Sequence, residues 1–140
     1  MKQLFFAILT VTTFLVSCQM DDLVLNHTAA DIVGVYQLER TSTYPTIGKD
    51  ITITNNLELT FTQDYKNGNQ VLIEELGIYA KINDNKVDIP FQTDAPGQFS
   101  YTGYGEINGA DIQLFLNIRN HTSNTIQTSK IHGQRLEFLD

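Results

Sequence analysis

Apolar and polar side chains alternate along residues 31–139 in short runs, which is the period of β-strands. The longest run covers residues 51–62, where apolar residues take most odd positions and polar residues take the even ones. Other alternating runs cover residues 34–39, 70–75, 78–83, 86–91, 99–107, 111–119, 125–131 and 135–139. No helical period exceeds a turn or two. The pattern therefore predicts an all-β domain of about eight short strands.

Turn signals separate these runs. Asn67-Gly68 and Asn108-Gly109 are hairpin dipeptides, and Asp84-Asn85 is a two-residue connection. All the connections are too short for parallel crossovers, so neighbouring strands are expected to pair antiparallel, in a sandwich or an up-and-down barrel. We further expect a loop over residues 41–50, a bulge or turn at Asn55-Asn56, a strand end near Pro90, a loop over 93–98 and a strand break at His132-Gly133.

The first residues have a different pattern. A positive start at Lys2 precedes an uninterrupted, mostly apolar segment over residues 4–16, which is shorter than the roughly 20 residues of a membrane-spanning helix. Leu15-Val16-Ser17-Cys18 resembles the lipobox of bacterial lipoproteins. We predict that residues 1–17 are a signal peptide; an uncleaved N-terminal helix beside an incidental cysteine is the alternative.

That resemblance implies a lipidated N-terminus. Cys18, the only cysteine of the 140 residues, would carry a diacylglycerol thioether and an acylated amine, typically palmitate, and two or more acyl chains suffice for stable anchoring. Residues 18–30 would be the tether and residues 31–140 the barrel domain. Gln19 favours the outer membrane over the inner one. Asp21-Asp22 loosely resembles an acidic export signal to the cell surface, and a solvated tether on the periplasmic side is the other interpretation.

Composition limits the partners of the domain. Removal of residues 1–17 leaves 123 residues, which is enough for one domain with its own core. The whole chain carries a net charge of −7, and loss of Lys2 makes the mature chain more acidic still. Such a surface repels nucleic acid and anionic headgroups. We therefore expect no nucleic-acid partner, and membrane contact through lipid alone.

Three segments carry a resemblance to a family. Gly34-Val35-Tyr36 resembles the Gly-x-Trp start of lipocalins and other calycins, with Tyr in place of Trp. Residues 86–92 resemble a Val/Phe-x-Ile-Pro-x-Gln segment, and residues 103–112 resemble a Gly-x-Gly-x-Ile-x-Gly-x-x-Ile hairpin; both recur in small lipocalin-like lipoproteins of the Bacteroidetes type. The resemblance implies a lipid-anchored, lipocalin-like antiparallel up-and-down β-barrel of unassigned function.

Candidate chemistry is sparse. The histidines at positions 27, 121 and 132 lack the spacing of metal ligands, and no serine lies in a Gly-x-Ser-x-Gly elbow. Adjacent Glu74 and Glu75 would point to opposite faces of a strand. We therefore predict a protein without catalytic residues, metal or cofactor.

Aromatic and aliphatic residues are the candidate binding groups. Six of them would point into the barrel and either fill it or line a cavity for a small apolar ligand: Tyr36, Leu38, Leu59, Phe61, Phe99 and Tyr101. Tyr104 and Phe115, on the polar faces of their strands, would form an exposed aromatic patch for a glycan or an envelope protein.

Overall fold

The computed structural model describes residues 28–136, and within them the alternating runs form a closed barrel of eight antiparallel strands in sequential order. The fold class predicted from the sequence is confirmed. Cys18 and the whole predicted signal peptide lie outside the described residues. The elements are a 3₁₀ helix η1 (Ala29–Ile32) and the strands β1 (Gly34–Tyr44), β2 (Ile51–Gln63), β3 (Gln70–Ile73), β4 (Ile78–Asn83), β5 (Lys86–Thr93), β6 (Phe99–Asn108), β7 (Asp111–Asn120) and β8 (Thr125–Arg135).

Several sequence-based boundaries were wrong. Strand β5 runs past Pro90 to Thr93, and β3 ends at Ile73, so Glu74 and Glu75 lie in the β3–β4 turn and not on a strand. Strand β1 continues to Tyr44 through the expected loop, since β2 and β8 hold its polar residues from both sides. Asn55-Asn56 makes neither a bulge nor a turn, because β2 stays in one unbroken register with β1. His132-Gly133 lies inside β8 rather than between two strands.

The interior is packed at one end of the barrel, which we call the closed end. Here β1 begins, β8 ends, and the β4–β5 and β6–β7 turns connect their strands. The ring of Phe61 meets the ring of Tyr36 edge-on with centroids 4.9 Å apart, and both side chains are buried. Buried Ile32 of η1 belongs to the same core cluster. The 3₁₀ helix therefore closes this end.

Two hydrogen bonds hold η1 in place. The Tyr36 hydroxyl donates to the Ile32 carbonyl at 3.0 Å, and the Arg135 guanidinium donates to the Asp31 carbonyl. Burial raises the pKa of Tyr36, and the nearby charge of Arg135 partly offsets that rise. The phenol therefore stays neutral and remains a donor. Since η1 starts at Ala29, it begins within the stretch predicted to be tether.

The Gln92 side chain connects β4 and β5 just after the Ile89-Pro90 pair. The register of β5 against β6 shifts between Ile89 and Gln92, and Pro90 has no N–H to give to β4. The Gln92 side chain replaces the missing pairing: its oxygen accepts from the Tyr79 N–H at 2.7 Å, and its amide donates to the Tyr79 carbonyl at 2.6 Å. One side chain thus bridges β4 and β5 where their main chains separate.

We expect Gln92→Ala to destabilise the barrel by about 1–2 kcal/mol, because two hydrogen bonds to the main chain of Tyr79 are lost and water replaces them only in part. Urea denaturation of the two proteins measures the difference. Gln134→Ala, an exposed glutamine on β8, is the control and should leave the midpoint unchanged. Equal loss of stability in the two variants would contradict the bridging role.

Glu75 closes a second gap, between β2 and the β3–β4 turn. Strand β2 pairs with β3 only from Phe61 onward. Just before that point, the Thr60 N–H and hydroxyl each donate to one oxygen of the Glu75 carboxylate at 2.7 Å. Partial burial raises the pKa of Glu75, but the bonds from Thr60, together with its own N–H, bring the pKa below the ordinary 4.5.

Because its pKa is lowered by folding, Glu75 stabilises the fold above pH 4.5, and this contribution is lost as the pH falls through the folded-state pKa. We expect Glu75→Gln to cost about 0.5–1 kcal/mol at pH 7, a small value because the group is exposed, and to cost less at pH 3. Denaturation at the two pH values measures this. Glu74→Gln is the matched control, since Glu74 uses its N–H rather than its carboxylate to bond Thr60. A cost for Glu75→Gln that does not change with pH would contradict the assignment.

Candidate functional site

A cavity occupies the other end of the barrel, which we call the open end. It lies where the β1–β2, β5–β6 and β7–β8 connections meet, and its volume is about 380 Å³. Inward-facing positions of β1, β6, β7 and β8 form its wall, and the β3–β4 turn adds one leucine. The lining residues are Arg40, Tyr44, Leu76, Phe99, Tyr101, Ile118, Asn120, Thr125 and Gln127.

The six residues predicted to face the interior divide between the two ends. Phe99 and Tyr101 line the cavity, with ring centroids 6.4 Å apart. The remaining four lie in the core cluster, each no more than 3% exposed: Tyr36, Leu38, Leu59 and Phe61. These four fill the barrel instead of lining its cavity.

Arg40 is the functional candidate that sequence reasoning missed. It follows Tyr36 and Leu38 at the next even-numbered position of β1, and even-numbered residues of this strand face inward. That alternation was the signal that could have found it. Its Nε lies 3.4 Å from the side-chain oxygen of Asn55, its cross-strand partner. Among residues 28–136, no carboxylate lies within salt-bridge distance of its guanidinium. A cation in a partly apolar cavity is thus paired with an amide alone.

Tyr101 lies in the field of this cation. Burial is the main cause of its raised pKa; Asp94 adds to the rise and Arg40 opposes it. The phenol is therefore neutral at physiological pH. A guanidinium and a neutral hydroxyl are both hydrogen-bond donors, so the cavity offers donors against aromatic and aliphatic walls.

Hydroxyl and imidazole groups near the open end make structural contacts. The Ser42 and Ser129 hydroxyls share a buried hydrogen bond of 2.8 Å, and Ser100 contacts both the His121 ring and Thr93. Ser100 is only 3% exposed, so a substrate would not reach it. The Ser100–His121 contact therefore gives no support to nucleophilic catalysis.

The described residues also contain no group of three His, Cys, Asp or Glu side chains able to hold a metal ion. His132 lies 3.9 Å from Glu39 across the outer face of β8 and β1. His121 is in the β7–β8 turn, and His27 lies outside the described residues.

The outer face of the barrel carries the expected aromatic patch. Tyr104 and Phe115 are cross-strand partners on β6 and β7, stacked with centroids 5.1 Å apart, and Tyr104 is 63% exposed. The Lys130 ammonium lies 5.7 Å from the centre of the Phe115 ring. A shallower depression of about 550 Å³ crosses the outer face of β1 and β8 beside Glu39 and His132. It lacks the enclosing aromatic wall of the cavity.

Between residues 28 and 136, none of the helical structure has the length and apolar character needed to span a membrane.

Comparison with known proteins supports the fold alone. No family model and no curated protein matches the chain. A solved structure of a protein of unknown function from the DUF3598 family of Nostoc punctiforme is 13% identical, with a TM-score of 0.51 over 79% of this chain and 50% of that one. The ywiB protein from Bacillus subtilis is 10% identical, with a TM-score of 0.43 over 74% of this chain and 92% of that one. This chain thus spans half the length of the DUF3598 structure, with which it shares a fold and little sequence.

Proposed function

We propose that this protein is a non-catalytic binding protein that takes up a small, largely apolar ligand at the open end of its barrel. The observation that carries the proposal is the cavity of about 380 Å³ beside Phe99, Tyr101 and Ile118. That volume is within the usual range of small-molecule sites, about 300–1,000 Å³. Since the closed end is packed, a ligand would enter from the open end.

Arg40 narrows the ligand class. A charge placed against apolar walls is costly unless it is paired, and here an amide is the paired group. A ligand with an apolar body and an acidic end would satisfy both the wall and the guanidinium. The Tyr101 hydroxyl would be a second donor to such an end.

Titration with 1-anilinonaphthalene-8-sulfonate, an apolar anion that fluoresces when bound in apolar surroundings, tests the proposal. We expect Ile118→Trp and Thr125→Trp, which fill the cavity and its exposed rim respectively, to weaken binding at least tenfold. Ile126→Trp changes the next residue, which is exposed and lies outside the lining, and should bind as the unmodified protein does. Arg40→Met should weaken binding of this anion more than binding of an uncharged naphthalene. Equal binding by all variants would overturn the site.

The proposal also includes the localisation of the protein at the outer membrane. A lipobox-like Leu15–Cys18 supports lipidation at Cys18 and attachment to the outer membrane, with residues 1–17 removed. Mass analysis of the protein from its own envelope should find Cys18 at the N-terminus with acyl groups, and Cys18→Ala should release the protein from the membrane fraction. Protease treatment of intact cells then distinguishes surface from periplasmic display. A free thiol at Cys18 would overturn the anchor without affecting the cavity.

A structural or interaction lipoprotein is the second candidate. The packed core around Tyr36, Leu38, Leu59 and Phe61 favours it, as does the outward stack of Tyr104 on Phe115. In that case an envelope protein, rather than a small molecule, would be the partner. Failure of the anion titration together with loss of a co-purifying protein in Tyr104→Ala would select this candidate.

A further inference from the structure

One strand edge of the barrel is unpaired over a long stretch. Strand β2 pairs with β1 along residues 51–61, but with β3 only over Phe61, Thr62 and Gln63. Glu74 and Glu75 occupy the edge at Thr60. From Ile51 to Leu59, the described residues place no strand on the side of β2 that faces away from β1. Unpaired main-chain donors and acceptors on such an edge are a template for another strand.

The direction of these main-chain groups follows from Thr60. Its N–H and carbonyl both point to the edge of β2 that faces away from β1, because they bond Glu75 and Glu74. N–H and carbonyl groups alternate between the two edges of a strand. The main-chain groups of Thr52, Thr54, Asn56 and Glu58 therefore point to this same unpaired edge. Residues 51–59 contain no proline, lysine or arginine, which on an edge strand discourage pairing with another chain, and Glu58 is their one charged residue.

We propose that this edge pairs with the same edge of a second copy, about a two-fold axis at Asn55. In that antiparallel register Thr52 pairs with Glu58 of the other copy and Thr54 with Asn56, which makes roughly eight main-chain hydrogen bonds. Residues that share a face then meet: Ile53 lies opposite Leu57, and Ile51 opposite Leu59. The two barrels would form one continuous sheet.

The side chains favour this self-pairing. Ile51 and Ile53 are 52% and 51% exposed, although they lie on the inward row of β2, and the pairing places Ile53 beside the half-buried Leu57 of the other copy. Glu58 meets a threonine rather than a second carboxylate, so an acidic chain pairs without a like-charge contact. A shift of one residue would place apolar residues opposite polar ones. A shift of two residues keeps the faces matched, but it places Ile53 or Leu57 opposite Asn55 of the other copy. The register centred on Asn55 is therefore the one that pairs apolar residues only with apolar residues, and the symmetric interface closes at two copies.

Cysteine cross-linking in the full-length protein tests the register. Asn55 would face its own copy across the axis at a Cα separation of about 4.5 Å, which suits a disulfide, whereas the two copies of Asn56 would be offset by two residues. We expect Asn55→Cys to cross-link at least tenfold faster than Asn56→Cys, with peptide mapping to place the bond at position 55. Equal rates would overturn the register.

Native mass spectrometry tests the edge itself. Thr54→Pro removes an N–H that points away from β1, so the barrel should remain folded by circular dichroism while the dimer is lost. Thr54→Ala keeps the N–H and should remain dimeric. A monomeric mass for the unmodified protein at tens of micromolar, or a dimer that survives Thr54→Pro, would overturn the proposal. Neither result depends on the cavity.

Discussion

Phe61→Ala should destabilise the barrel by about 3–5 kcal/mol, the usual cost of removing a fully buried phenyl ring. Phe61 is 0% exposed and packs edge-on against Tyr36, whose hydroxyl holds η1. Its removal leaves a void that no neighbour fills without moving. The loss would be a large part of the stability of a small domain, which is typically about 5–15 kcal/mol.

Phe91→Ala makes the same chemical change at an exposed site and is therefore the control. Phe91 is 73% exposed beside the β5 irregularity, so its removal should change stability by less than about 0.5 kcal/mol. Thermal and urea denaturation of both variants give the comparison. A small loss in Phe61→Ala would mean that the closed end is loosely packed and that the cavity extends deeper into the barrel.

The fold could be predicted because most strands show the same alternation of apolar and polar residues. In β4, the buried and exposed classes alternate without exception from Ile78 to Asn83, as the sequence alternates. The signal failed where neighbouring strands decided the outcome. Thr41 and Thr43 contain no apolar alternation, yet they are strand residues because β8 and β2 both pair with them. Such long-range pairing leaves no mark in a local pattern.

The candidate site was harder to predict for a related reason. Parity places Tyr36, Leu59 and Tyr101 on the same inward face, but it does not say at which end of the barrel each one lies. The distance along the barrel follows from register, which sets Tyr36 beside Leu59 near η1 and Tyr101 beside Ile118 near the opening. Arg40 was overlooked because a charged residue ends the apolar row. At a binding site, that exception is the informative residue.

Replacement of Gly133 with alanine should prevent the barrel from closing or destabilise it by more than about 3 kcal/mol, since it forces main chain against main chain. A Cβ built at Gly133 would lie 2.1 Å from the Gln37 carbonyl oxygen and 2.8 Å from the Leu38 Cα. Leu38 is the cross-strand partner of Gly133 in the β1–β8 pair, which is the seam that closes the sheet into a barrel. The β1 backbone would have to move away from β8 to admit one methyl group.

Gly68→Ala provides the matched comparison, because a Cβ there meets nothing within 4 Å. Its stability should equal or slightly exceed that of the unmodified protein, since alanine lowers the entropy of the unfolded chain. Circular dichroism and denaturation midpoints measure both variants. If Gly133→Ala folded as well as Gly68→Ala, β1 and β8 would not be held at the observed separation. The strand break expected at His132-Gly133 rested on reading the glycine as a turn residue. Glycine is needed at position 133 because β1 approaches β8 too closely there for a side chain.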